Sequence, residues 1–175
     1  MEIGCGTGHC LRQISQDVGP SGEAYGIDLS AGMLRQSKQR LKKADFGDMT
    51  VLLCGDAANL PFVSSIFDAV FMSFTLELFD TPEIPEVLEQ VERVLKPGGR
   101  LAVVSMSRDS GRSMLLSLYE WAHRKWPTYV DCRPIYVERS IVAAGYSTRS
   151  IQKVRLFGLP LEIVVSVKLA SENPP

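Results

Sequence analysis

The glycine loop Gly4-Cys5-Gly6-Thr7-Gly8 is the feature that most narrows the fold, because only Met1, Glu2 and Ile3 precede it. Closely spaced glycines let the backbone turn through φ > 0 and let a ligand come against the main chain, where a Cβ would intrude. A loop of this kind joins the end of a buried strand to the start of a helix, whose N-terminal N–H groups lack partners within the helix and are expected to face the ligand. Three residues remain for that strand, so a shortened first strand is expected.

Downstream the chain alternates strand and helix as far as about Arg108. Leu11, Ile14 and Val18 recur at helical spacing, and Gly19-Pro20-Ser21-Gly22 stops the helix. Glu23 to Asp28 reads as a short strand. Ser30 is placed to cap a helix with Met33, Leu34 and Leu41 on its apolar side. Thr50 to Cys54 and Phe67 to Met72 are further apolar runs of strand length. Thr81 and Pro82 predict the start of the clearest helix, whose face is marked by Ile84, Val87, Leu88, Val91, Val94 and Leu95. Lys96-Pro97-Gly98-Gly99 ends it before a strand from Arg100 to Ser105.

This alternation predicts an α/β fold: a doubly wound, mostly parallel sheet with helices on both faces. The tail departs from it. Ser113 to Trp126 reads as an amphipathic helix carrying Tyr119, Trp121 and His123, and Tyr136 to Ala144 as a shorter one. Thr148 to Val154 and the alternating Leu161, Ile163, Val165, Val167 and Leu169 then predict two strands. They are too close in sequence to hold a crossover helix, so they form an antiparallel pair. Residues 1–170 are read as one domain and 171–175 as a frayed end.

Composition excludes several classes. With 19 Lys and Arg against 20 Asp and Glu, the formal net charge is −1, so no nucleic-acid partner is expected. Arg40-Leu41-Lys42-Lys43 reads as a solvated helix face. Cys5, Cys10, Cys54 and Cys132 are scattered and only His9 and His123 could join them, so neither a metal site nor a disulfide framework is expected. Cys5 reads as a small filler in the loop. Nothing in the sequence looks like a membrane span or a signal peptide, and a cytoplasmic protein is expected.

The spacing Gly4-x-Gly6-x-Gly8, with His9 where a dinucleotide fingerprint would have its last glycine, speaks against an oxidoreductase. Preceded by Glu2, it resembles the first motif of class I S-adenosylmethionine-dependent methyltransferases. Further motifs follow in the order that family requires: Asp28 ending the second strand, Gly55-Asp56-Ala57 after the third, Phe67-Asp68-Ala69-Val70 at the fourth, and Leu95 to Leu101 (LKPGGRL) into the fifth. The resemblance is nearest to the small-molecule methyltransferases of ubiquinone and menaquinone biosynthesis. It implies S-adenosylmethionine as cofactor, held by Glu2, Gly4, Gly6, Gly8, Asp28, Leu29, Met33, Asp56, Ala57 and Ser73. Asp28 would accept from the ribose hydroxyls, Leu29 and Met33 would flank the adenine, and Asp56 would face its amino group. Asp68 reads as structural.

The implied activity is methyl transfer to a small-molecule acceptor, and the apolar helix over 113–126 reads either as core packed on the sheet or as a lid over a lipophilic acceptor. No catalytic residue is assigned; Glu77, Tyr119 and His123 are the substrate-side candidates, Glu77 as a base or a solvated residue. In the family the first strand is central and helices precede it, so the chain reads as N-terminally truncated. Three accounts of this stay open. The sequence is a fragment, a partner such as a second copy in a homodimer supplies the strand, or a short strand suffices with an open site. The last allows a non-catalytic S-adenosylmethionine-binding or partner-binding module.

Overall fold

The computed structural model describes residues 1–108 and 134–169. The expected helix over 113–126, with Tyr119 and His123, and the expected frayed end lie outside the described residues. Among the described residues, seven strands form one sheet: β1 (Glu2–Ile3), β2 (Ala24–Asp28), β3 (Thr50–Cys54), β4 (Phe67–Ser73), β5 (Leu95–Met106), β6 (Ser147–Leu156) and β7 (Leu159–Val167). Their order is β3-β2-β1-β4-β5-β7-β6. β1 to β5 run parallel, while β7 is antiparallel to β5 and β6 to β7. The described helices are α1 (His9–Val18), α2 (Ala31–Lys43), α3 (Ile84–Val94) and α4 (Val137–Ala143).

The shortened first strand sits at the centre of the sheet. Glu2 and Ile3 pair with Gly26 and Ile27 on one side and with Phe71 and Met72 on the other. Met1 adds two bonds to β4, donating to the Ala69 carbonyl at 2.8 Å and accepting from the Phe71 N–H at 2.9 Å. Tyr25 and Phe67, which precede the residues paired to β1, pack edge to face with each other and with Phe62, their centroids 4.9–5.9 Å apart.

Successive residues of a strand face opposite ways, and β2 shows the consequence. Ala24 joins Leu11 and Leu41 under α1 and α2, whereas Ile27 joins the larger core that holds Val87, Leu88 and Val91 of α3 and Ile141 of α4. The sheet is thus covered on both faces. Every residue expected on the inner face of α3 is buried, as is Leu95 beyond it. The helix itself begins later than expected, at Ile84. Glu83 accepts from the Asp80 N–H at 2.9 Å, and the Glu83 and Ile84 N–H groups donate to the Asp80 carbonyl. That turn takes up Thr81 and Pro82.

Lys168 closes the other end of α3, donating to the Glu92 and Leu95 carbonyls at 2.7 and 2.9 Å, where a cation also meets the negative end of the helix dipole. Asp68 pairs with Lys96 at 2.7 Å on the surface, which holds its carboxyl below the usual range. In β7 the fully buried set is Glu162, Val164 and Ser166, which share one face of the strand, rather than the alternating aliphatics.

Leu88 is wholly buried beneath Tyr146, whose hydroxyl donates to the Leu88 carbonyl at 3.1 Å. Leu88→Ala is expected to lower stability by about 3 kcal/mol, read as a lower urea midpoint with an unchanged slope.

Candidate functional site

The loop after β1 leaves the sheet at the carboxyl end of the strands. Gly6 and Gly8 have φ of 51° and 78°, in the left-handed region. They differ in surroundings. A Cβ at Gly8 would stand 2.3 Å from the Ser37 hydroxyl of α2, whereas one at Gly6 would meet nothing within 4 Å. Gly8 is therefore required for packing, and Gly6 keeps the space in front of the loop open.

The N–H groups expected to face a ligand are largely engaged within the protein. Those of Gly4 and Cys5 donate to the Ile27 carbonyl at 2.8 and 3.1 Å, Gly6 donates to the Asp28 carboxylate at 2.8 Å, and Gly8 donates to the Cys5 carbonyl at 2.8 Å. The loop is tied to β2 rather than shaped as an anion cradle. Arg40, expected in solvent, ties it to α2: its guanidinium donates to the Thr7 carbonyl at 2.9 Å and meets the His9 ring at 2.9 Å.

Asp28 stands at the end of β2 with each carboxylate oxygen fixed by one backbone donor, Gly6 N–H on one and Ser30 N–H on the other, both at 2.8 Å. A carboxylate offers about four acceptor positions, so each oxygen keeps capacity for a ligand hydroxyl. Asp56 caps the short turn Ala57–Asn59, accepting from the Ala58 N–H at 2.9 Å through one oxygen and leaving the other. These two face a cavity of about 340 Å³ lined also by Ile3, Gly4, Ile27, Leu29, Gly55, Ala57, Ala58, Thr75, Leu78, Phe79 and Glu83. Among the described residues its walls carry three carboxylates, those of Asp28, Asp56 and Glu83, and no Lys, Arg or His.

Of the ten residues expected to hold a cofactor, Gly4, Asp28, Leu29, Asp56 and Ala57 line this cavity. Gly6 and Gly8 shape its loop, and Glu2 is buried behind it. Met33 and Ser73 are not among the lining residues: Met33 turns outward from α2, and Thr75, two residues beyond Ser73, takes the wall position. Thr75 Oγ1 lies within hydrogen-bond distance of the Ile3 and Ser73 carbonyls, at 3.2 and 3.1 Å, which presses the end of β4 against the loop. Phe74 between them has φ of 53°, a conformation bulky residues rarely hold. Glu77 is neither solvated nor at the cavity wall; it is 1% exposed and accepts from the Met106 N–H of β5 at 3.5 Å.

Glu2 is 2% exposed, and its pKa is raised from 4.5 to about 8, by burial first and by the nearby Asp28 carboxylate next. The Met1 ammonium and the Leu11 N–H pull the other way. A carboxyl whose folded pKa lies above its unfolded value keeps a proton that the unfolded chain has lost. Its contribution therefore declines as pH rises from about 4.5 to about 8. Glu2→Gln removes that decline. Relative to wild type, the variant is expected to gain of order 3 kcal/mol between pH 5 and pH 8, read by urea unfolding at each pH.

A family model described as a methyltransferase domain matches residues 1–99, more than half of the chain. The chain belongs to the methyltransferase domain family. This methyltransferase-family chain is 31% identical over 145 residues to the demethylmenaquinone methyltransferase of Symbiobacterium thermophilum, a match covering 83% of this chain and 54% of that protein. It thus spans about half the length of the curated relatives it matches. The fold superposes on a SAM-dependent methyltransferase of Methanosarcina mazei with a TM-score of 0.80 at 18% identity, covering 97% and 92% of the two chains. Geranyl diphosphate C-methyltransferase of Streptomyces coelicolor superposes with a TM-score of 0.74 at 13% identity, over 96% and 71%.

Proposed function

We propose that residues 1–170 act as one S-adenosylmethionine-binding domain that transfers the donor's methyl group to a small, lipophilic acceptor. The observation that carries the reading is the charge of the cavity: among the described residues, three carboxylates and no cationic side chain, with a glycine loop whose N–H groups are already engaged. Such a site repels a pyrophosphate, which speaks against a dinucleotide. It suits a nucleoside that brings hydroxyls and positive charge.

Asp28 accepts from the ribose hydroxyls, and Leu29 with Ala57 encloses the base beside Asp56. Gly4, Gly6 and Gly8 keep the main chain close to the ligand, with Glu2 supporting the loop from behind and Thr75 closing the wall. Met33 and Ser73 border this arrangement from outside. When bound, S-adenosylmethionine supplies a methyl group already activated by its sulfonium. The protein's part is then alignment and exclusion of water, a contribution of roughly 7–11 kcal/mol for well-oriented reactants.

The acceptor class rests on the relatives, named for demethylmenaquinone, and on the neighbour named for geranyl diphosphate. The test is label transfer from tritiated S-adenosylmethionine to a reduced demethylnaphthoquinone, with a water-soluble catechol as comparator. Label in the quinol product supports the reading. Binding of the donor with no transfer to either acceptor would favour a non-catalytic binding module.

A further inference from the structure

Among the described residues, the β6–β7 hairpin extends past the rest of the sheet on the side where the cavity lies. β4 ends at Ser73, level with Val104 of β5 and Ile163 of β7. The last β5–β7 pair is Met106 with Leu161, yet β6 and β7 continue through Arg155 with Pro160 and Leu156 with Leu159. The turn at Phe157 and Gly158 thus stands roughly 13 Å beyond the end of β4, at about 3.3 Å per residue.

This overhang is amphipathic. Phe157, at the tip, is 93% exposed with φ of 50°, and Leu156 and Val154 beside it are 47% and 41% exposed. Val154 and Leu156 share one side of the ribbon, and Lys153 and Arg155 the other. From Ser147 to Leu159 there are three cations, Arg149, Lys153 and Arg155, and no acid. Lys153 meets the buried Glu162 of β7 at 3.3 Å, and Arg155 makes no ion pair among the described residues.

We propose that this hairpin tip docks on an anionic lipid surface, with Phe157 and Leu156 entering the interface and Arg155 on the headgroups. An exposed aromatic at a turn gains by burial in the acyl boundary, and cations beside it gain from the surface potential of anionic lipid. The charges also select this occupant over a second copy of the chain. In the register centred on Gln152, pairing β6 with itself about a twofold axis would set Arg149 opposite Arg155. Docked in this way, the hairpin places the cavity's side of the sheet toward the bilayer. The proposal does not depend on what the cavity binds.

The test is co-sedimentation of the full chain with vesicles of phosphatidylcholine alone or with a one-third share of phosphatidylglycerol, beside Phe157→Ser and Arg155→Ser. Both positions are exposed, so unchanged thermal midpoints are expected for the variants. Wild type should sediment with the anionic vesicles and release as salt is raised, and Phe157→Ser should weaken partition by about tenfold or more. No sedimentation of wild type, or sedimentation indifferent to both substitutions, would overturn the proposal. So would a wild-type dimer in solution that Phe157→Ser converts to monomer, which would make the tip a contact between copies.

Discussion

Asp28→Ala is expected to weaken S-adenosylhomocysteine binding by more than about a hundredfold, roughly 3 kcal/mol, while the chain stays folded. Two effects add. The carboxylate is the one wall group placed to accept from a diol at the end of β2, and hydrogen bonds to a charged acceptor are among the stronger ones. It also bridges the loop to α2 by accepting from Gly6 and Ser30 at 2.8 Å each, so its loss loosens the cradle. The fold is expected to lose only about 1 kcal/mol, since the orphaned Ser30 N–H is exposed and the Gly6 N–H only part-buried. Calorimetric titration with a parallel melting curve separates the effects. Asp28→Ala binding as tightly as wild type would remove Asp28 from the site.

The second large effect divides two neighbouring glycines. Gly8→Ala forces a left-handed alanine whose Cβ lies 2.3 Å from Ser37 Oγ and 3.1 Å from Ser37 Cα, so a helix backbone has to move. The conformation and the clash together are expected to cost about 3 kcal/mol of stability. Gly6→Ala carries the conformational cost alone, about 1 kcal/mol, because its Cβ enters open space. That space is where the ligand would come against the loop, so Gly6→Ala is expected to lose at least about tenfold in S-adenosylhomocysteine affinity. Urea unfolding and ligand titration of both variants should show opposite ranks: Gly8→Ala worse in stability, Gly6→Ala worse in binding for the stability it loses.

Much of this architecture was legible because it is local. Glycines at left-handed positions, Ser30 capping α2 through the Met33 N–H at 3.3 Å, and the apolar stripe of α3 are fixed by neighbours a few residues away. The readings that failed depended on contacts between distant segments. Arg40 looked solvated because nothing near it in sequence shows that the Thr7 carbonyl lies beside it. The loop N–H groups looked available because only the register of β1 on β2 brings the Ile27 carbonyl and Asp28 carboxylate to them. Glu77 and Glu162 are charged in sequence yet buried, a placement that follows from sheet order and not from periodicity. Thr75 rather than Ser73 lines the cavity wall because the chain turns at Phe74, with φ of 53°, and periodicity does not mark that turn.

This carboxylate-lined cavity is expected to take a nucleoside bearing positive charge and to reject a pyrophosphate. Calorimetric titration of the whole chain with S-adenosylmethionine, and separately with NAD, tests it most directly. A dissociation constant on the order of micromolar is expected for the first and no measurable heat for the second. A folded chain that binds NAD as well as S-adenosylmethionine, or binds neither, would contradict it.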